Sequence, residues 1–466
     1  MQRSENLIKM PKVTVYILNY NYSRYVAKAI ESALSQTYEN LEILVIDDGS
    51  TDDSLEIINK YSDRLQIIEQ NNVGLVKSII KAFSIAEGDY VVRLDADDWL
   101  DPRCIEELVK KISKNKNAAL AFPDYYEVDE FEQIIRRIKR HDFSGNVSMY
   151  DQPAHGACTL TRKEHYFEVG GHDENFMCQD GVDIWLSLTE KYDVVNVSKP
   201  LFFYRKHSQS LTVNEDKILS TRSNIYKSHA EKRGYKKDLS YAFIPVRSQK
   251  LNGVEYTLTK LGDKKIIEWV VEKAKKSNLI NKIIIMIDDD ELMTKISEIF
   301  KNNENIILFQ RHKKDSSSGI SINASIKKFL NTYNIESPEN IVILTTNYPF
   351  SRHNYLDTSI YSMFLFGSES IDSVVMDNSV FYYHDGSGIK PWADIYIRKE
   401  REDIYIRRGG ISVFNKELLK NEKDIISKKM GHVIVDKISS FEIRSKEDLA
   451  IADFIASKLI NEKKDV

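Results

Sequence analysis

The sequence predicts an α/β chain organised as two α/β domains, residues 10–237 and 238–460. Short apolar runs alternate with stretches of helical periodicity along most of the chain, the pattern of parallel sheets covered by helices on both faces. The alternation starts afresh near Tyr241, after a polar helix over 216–233 that ends at Gly234, a residue suited to a helix C-terminal cap. The length, 466 residues, exceeds the roughly 100–200 residues of one domain.

Each element has a local reason. VTVYIL (13–18) is an apolar strand, and Val26, Ala29, Ile30, Ala33 and Leu34 give a helix over 26–36. LEILVID (41–47) is a second buried strand. The DGSTDD turn after it caps a helix carrying Leu55 and Ile58. LQIIEQ (65–70), a helix over 75–86 and DYVVRLD (89–95) continue the series. Asp101 and Pro102 predict a helix start, Asp as N-cap and Pro at the first position, with Ile105, Leu108, Val109 and Ile112 as its stripe. In the second half AFIPV is a strand, 265–276 a helix, KIIIMI (282–287) and IILFQ (306–310) strands, 320–331 a helix and IVILTT (341–346) a strand. No linker rich in Pro or Gly and no clear internal repeat separates the halves.

Composition excludes several classes. Lys and Arg number 66 and Asp and Glu 70, a net charge of −4, which leaves no electrostatic footprint for nucleic acid. No run of 18 apolar residues predicts a transmembrane helix, and the first residues lack the apolar core of a signal peptide. Three cysteines, Cys104, Cys158 and Cys178, without a CxxC pair, fit a reducing cytoplasm and argue against a disulfide framework or a thiolate zinc site.

Ligands of open α/β sheets bind beyond the carboxyl ends of the strands. Two acidic clusters stand there: Asp47 and Asp48 after the second strand, and Asp95, Asp97 and Asp98 after DYVVRLD. A single Asp at such a place is as readily a turn former or helix cap. Two clusters at two strand ends point to chemistry, and Asp-x-Asp suits a hard divalent cation completed by substrate phosphates.

These residues carry a resemblance. VTVYILNYNYSRYVAKAIESALSQTYENLEILVIDDGSTDDS, RLDADDWLDP, ENFMCQDGVDIWLSL and FYRKHSQSLT, in that order, resemble the nucleotide-binding, Asp-x-Asp, acceptor-side and trailing segments of the family 2 glycosyltransferases of the GT-A fold. The resemblance covers nearly all of the first ~235 residues and implies an inverting glycosyltransferase. It implies that Asp48 accepts a hydrogen bond from the nucleotide base and that Asp95 contacts the ribose. Asp97 would hold Mg2+ or Mn2+, with His207 a further candidate for metal or phosphate contact, and Asp180 would act as general base. His207 also reads as a capping histidine, and Asp183 as an orienting or capping residue. Lys77 is a candidate for phosphate contact, though a solvated helix lysine is the plainer reading. Trp99 and Trp185 read equally as sugar-stacking or packing residues. Departures stand at Gln179, where the family has an acid, at Ile80, and at His172, where an aromatic is common.

From about residue 239 the chain is similar, more weakly, to the CMP-sugar synthetases, the acylneuraminate cytidylyltransferases, again a nucleotide-binding α/β fold. AFIPVR, LTTNYPF, YIRRGGISVF and SSFEIRSKEDLAIADFI carry the likeness. Arg247 matches the family's nucleotide-contacting arginine. The paired glycines after it are Ser248 and Gln249, a lysine position holds Leu251, Thr345 replaces a Gln, and the metal-binding Asp-x-Asp falls on Glu442 and Arg444. A guanidinium repels a cation, so the expectation is an inactive or repurposed domain.

The reading is thus a cytoplasmic enzyme moving a sugar from a nucleotide-sugar donor, UDP-linked by resemblance, to a bacterial surface glycan. Two alternatives stand beside it: a bifunctional enzyme that also makes a CMP-sugar acid from CTP, and a non-catalytic sugar- or nucleotide-binding scaffold. Peripheral membrane association and homo-oligomer formation are left open.

Overall fold

The computed structural model describes residues 10–139, 156–176, 178–207, 215–251, 253–311, 322–333, 335–377, 379, 381–391, 404–420 and 429–461. The segment of the trailing motif beyond His207, and the first two residues of the helix expected over 320–331, lie outside them. The chain forms two compact units, Met1–Thr221 with Val380–Glu402, and Arg222–Ser379 with Asp403–Val466.

The first unit is built on β1 (Val13–Asn19), β2 (Leu41–Asp47), β3 (Gln66–Glu69), β4 (Tyr90–Asp95), β5 (Trp99–Leu100), β6 (Ala118–Val128), β7 (Ile134–Ile138), β8 (Leu160–Arg162) and β9 (Asp193–Arg205). They form one sheet in the order β3-β2-β1-β4-β8-β6-β9-β5, with β7 beside β6. β1 pairs in parallel with both β2 and β4, and β8 runs antiparallel to β4. The chain reverses its direction of travel across the sheet between β1 and β4. The carboxyl ends of those two strands therefore open the crevice where ligands of such sheets bind.

Both faces of the parallel strands are apolar, and each is covered by its own helices. Val13, Val15, Ile17, Val92 and Leu94 face α1 (Val26–Leu34), α2 (Ser54–Asn59) and α4 (Cys104–Ile112) through Ala29, Ile30, Ile58, Ile105 and Leu108. Tyr16, Leu18, Leu44, Ile46 and Val91 face α3 (Leu75–Ile85), α5 (Lys163–Glu168) and α6 (Asp180–Thr189) through Ile79, Phe83, Tyr166, Ile184 and Trp185. Alternation along a strand sends odd and even residues to opposite faces, which is why strand and helix periods in the sequence agree with the layers.

Helix α4 corrects one expectation. It begins at Cys104, two residues later than Asp101-Pro102 predicts. Asp101 instead closes a turn: its side chain accepts from the Arg103 N–H and its carbonyl from the Cys104 N–H, each at 2.9 Å. The long strands β6 and β9 are absent from the sequence reading, because Pro123, Asp124, Glu127 and Lys199 break their apolar pattern.

The helix Glu215–Lys232 ends as expected at Gly234, whose φ of 80° is costly for other residues and lets the Tyr235 N–H reach the Ala230 carbonyl at 2.8 Å.

The second unit has a seven-stranded sheet. Its spatial order is Ile306–Gln310, Ile280–Ile287, Ser240–Val246, Asn340–Leu344, Ile404–Asn415, Ser370–Asp377 and Met430–Ile434. The first four are parallel and Ile404–Asn415 is antiparallel to its neighbours on both sides. Helices Ile266–Lys276, Asp290–Phe300, Ile322–Thr332, Asn354–Phe366 and Lys446–Asn461 accompany it.

Lys273, near the end of helix Ile266–Lys276, is 1% exposed and donates to the Tyr348 carbonyl at 2.8 Å. Burial pulls its pKa down to about 7 from 10.5. Between those values the unfolded chain binds a proton that the folded chain does not, so this group makes stability rise with pH from about 7 to about 10. Lys273→Met removes the titration, and its melting temperature is expected to gain on wild type at pH 7 and to lose that gain by pH 10. Equal pH slopes in the two proteins would refute this.

Candidate active site

The acidic residues meet at the carboxyl ends of β1, β2 and β4. Asp47 is 1% exposed and organises the turn: it accepts from Asn19 Nδ2 at 2.7 Å, the Ser50 N–H at 2.9 Å and Ser50 Oγ at 2.6 Å. Asp48 reaches across to the segment before α3. Its Oδ1 accepts from Gln70 Nε2 at 2.7 Å and the Val73 N–H at 2.9 Å, and its Oδ2 from the Gly74 N–H at 2.9 Å. The carboxylate that the sequence assigns to the nucleotide base thus shapes the loop leading into α3. Lys77, on α3, is exposed.

β4 supplies the next group. Arg93 and Asp95 lie two apart on one face, so the guanidinium folds along the strand onto its own neighbour, with Nε to Oδ1 at 2.6 Å and Nη2 to Oδ2 at 2.9 Å. The third nitrogen, Nη1, donates to Asp180 Oδ2 at 2.7 Å, at the first residue of α6. Two carboxylates assigned to donor and acceptor sides are therefore held by one guanidinium. Burial disfavours the charge on Arg93, but Asp95 and Asp180 more than offset it and raise its pKa. Burial raises the pKa of Asp95, against the opposing pull of Arg93.

Gly156 makes room for this contact. A Cβ there would lie 2.7 Å from Asp180 Oδ2 and 3.0 Å from Arg93 Nη1. Beside the pair is a cavity of about 30 Å³, lined by Arg93, Gly156, Thr159, His172, Asp180 and Trp185 among others, with room for a single water. His172 shares its Nδ1 with the Tyr166 hydroxyl at 3.0 Å, and burial lowers its pKa, leaving a neutral ring. Asp183 accepts from the Asp173 N–H at 3.0 Å, the contact of an orienting residue.

The Asp-x-Asp turn follows β4. His207 Nε2 lies 2.9 Å from Asp97 Oδ2, and the imidazole sits against Tyr22 and Tyr25. Asp98 is 1% exposed; its Oδ1 accepts from the Arg205 N–H at 2.8 Å and its Oδ2 is buried without a partner. Burial, with Asp97 and Asp95 nearby, pushes the Asp98 pKa well up. Among the described residues no three acidic, histidine or cysteine side chains converge as a ready metal cage. Asp97 and His207 nevertheless fit a divalent cation of the kind that takes one or two protein ligands and completes its shell with substrate phosphates.

Both tryptophans pack. Trp185 is 3% exposed against Phe122, and Trp99 stacks on Phe203 at 4.9 Å with the Lys28 ammonium 3.7 Å over its ring.

At the corresponding strand end of the second unit the loop is exposed and bonded to this chain's own carboxylates. Arg247 is exposed just past Val246. The Ser248 N–H donates to Asp288 Oδ1 at 2.9 Å and the Gln249 N–H to Glu255 Oε2 at 3.0 Å, so this chain's own carboxylates take the loop's N–H groups. Glu442 is paired with both Arg408 and Arg444, the latter at 2.7 Å. Burial raises its pKa, but bonds from Arg444 and Tyr348 and the charge of Arg408 hold it below the usual range.

Sequence reasoning missed Arg93 and Gly156. The available signal was an arginine inside an otherwise apolar strand, two positions before Asp95. Its partner Asp180 lies 87 residues away.

Fold and site define a two-unit α/β protein with polar and charged groups gathered at the carboxyl ends of its parallel strands. The family model for glycosyl transferase family 2 matches residues 14–167, and that for cytidylyltransferase matches 255–420. The chain is 30% identical over 225 residues to the UDP-Glc:alpha-D-GlcNAc-diphosphoundecaprenol beta-1,3-glucosyltransferase WfaP of Escherichia coli, covering 47% of this chain and 87% of that protein. It is 34% identical over 226 residues to an Escherichia coli chondroitin synthase, covering 46% of this chain and 31% of the synthase. Among solved structures, S. aureus TarS 1-349 in complex with UDP-GlcNAc is 18% identical with a TM-score of 0.40, covering 46% of this chain and 66% of that one. The chain spans only 13% to 31% of the length of the chondroitin and hyaluronan synthases it matches. It belongs to the family 2 glycosyltransferases, and its second unit is similar to the cytidylyltransferases over residues 255–420. No helix among the described residues is long and apolar enough to cross a membrane.

Proposed function

We propose that the protein is an inverting glycosyltransferase that moves a sugar from a UDP-linked donor to a hydroxyl of a bacterial surface glycan on the cytoplasmic side. The observation that supports this best is the Arg93 bridge, which sets Asp180 beside the donor-side Asp95. Asp180 takes the acceptor hydroxyl proton as that oxygen attacks the anomeric carbon from the face opposite the departing diphosphate. Asp95 orients the ribose, Asp48 and its loop border the base, and Lys77 stands toward the phosphates. Asp97 and His207 hold Mg2+ or Mn2+, which supplies positive charge to the departing diphosphate when bound. The likeness to WfaP, whose name gives a UDP-glucose donor and a diphosphoundecaprenol-linked acceptor, supports both the donor and a lipid-linked acceptor reached by peripheral contact with a membrane. A screen of UDP-, GDP- and TDP-sugars with Mn2+ tests the reading, with UDP release expected and turnover confined to other bases contradicting it.

The second unit, on this reading, makes no CMP-sugar. Glu255 and Asp288 place negative charge where a cytidylyltransferase would bring CTP phosphates, and Arg444 stands at a cation-ligand position. With CTP, Mg2+ and a panel of sugar acids, the full-length protein is expected to release no pyrophosphate above background. Robust release, lost in Arg247→Ala, would overturn the assignment.

A further inference from the structure

We infer that Arg93 is the positioning residue for the base, aiming the Asp180 carboxylate from an anchor on the donor side. The inference rests on the proposed role of Asp180 and adds a residue to it. Arg93 spends all three guanidinium nitrogens on two carboxylates, Nε and Nη2 on Asp95 and Nη1 on Asp180. A buried ion pair contributes little net stability over an apolar packing of the same volume, so stability alone is a weak reason to bury one arginine with two acids. The neighbourhood also fits the contact: a Cβ at residue 156 would crowd both the Asp180 oxygen and the guanidinium nitrogen, and glycine leaves them clear.

The other described groups facing Asp180 supply no positive charge. Tyr16 approaches from β1 and is neutral, its pKa raised by burial. His172, from the segment after α5, is neutral because burial lowers its pKa. Asp183 on α6 and Asp95 on β4 are acids. Arg93 is therefore the cation that directs the base. Because Asp95 holds the same guanidinium in a bidentate grip, a shift of the donor-side strand end is carried to the base through one rigid, planar group.

The test uses the full-length protein with UDP-glucose and UDP-GlcNAc and Mn2+, following UDP release against donor concentration in wild type, Arg93→Met, Arg93→Lys, Asp180→Asn and the Arg93→Met/Asp180→Asn double variant. Thermal melts report folding. In Arg93→Met, kcat is expected to fall by about 10- to 100-fold while the donor KM stays within about threefold of wild type, as expected where the base is misaimed and the donor still binds. The double variant should be within about threefold of Asp180→Asn alone, because two residues acting as one unit are not additive. Arg93→Lys keeps the charge but cannot span both acids. It should leave the donor KM near that of wild type and still lower kcat several-fold, which keeps the inference testable where Arg93→Met fails to fold. A wild-type kcat in Arg93→Met or Arg93→Lys, a loss confined to donor KM, or a double variant that falls by the product of the single losses would overturn it. If Asp180→Asn keeps full turnover, the base assignment itself is wrong; if only the Arg93 variants behave like wild type, this inference alone fails.

Discussion

Asp180→Asn is expected to lower the transfer rate by ~10²-fold or more while the donor binds almost as before. Asparagine has the same shape, and its carbonyl oxygen can still accept from Arg93 Nη1, so the 2.7 Å contact and the start of α6 persist. What it loses is the capacity to take a proton. A group acting only in the transition state lowers kcat and kcat/KM together, leaving donor affinity unchanged. Folding should change little, because the amide is neutral while Arg93 keeps its two bonds to Asp95. A collapse of donor affinity would instead place Asp180 in the donor site.

Asp97→Ala is expected to abolish metal-dependent transfer and weaken donor binding, and excess chelator should reproduce the loss in wild type. This variant should also melt at the same temperature as wild type or higher. Asp97 makes its described contact with His207, but it also raises the energy of the buried Asp98, whose pKa is pushed well up by burial, Asp97 and Asp95. Removing one of three crowded carboxylates relieves repulsion, so the residue that activity needs is one that stability does not. Full activity of Asp97→Ala, or of wild type in chelator, would sink the metal assignment.

Much of this architecture was legible in the sequence because its elements are locally consistent. VTVYILN and LEILVID are apolar on both faces and became central parallel strands, and the acids that end them and DYVVRLD stand at the crevice. The helical stripes at Val26–Leu34 and Cys104–Ile112 bury the residues their period assigns, Leu34 only in part. What was illegible depends on distant partners. Asp48 looks free in sequence, yet its oxygens are engaged by a loop about 25 residues on, which only tertiary folding brings near. Arg93 reads as an interruption of a strand until α6 delivers Asp180. Strands β6 and β9 carry too many polar residues to show a period of two, and pair with each other across register shifts rather than by a clean alternation. Asp101 could have capped a helix by type and spacing, but the chain spends it on a turn first.

The most direct test of the central claim measures donor binding and turnover in the same samples. Wild-type and Asp180→Asn proteins are titrated with UDP in the presence of Mn2+ by calorimetry, and UDP release from the UDP-sugars of the screen is followed with and without acceptor extract. The account predicts equal UDP affinity in both proteins, acceptor-stimulated release by wild type alone, and loss of that release in chelator. Acceptor-stimulated release that survives in Asp180→Asn, or the absence of any UDP binding to wild type, would contradict it.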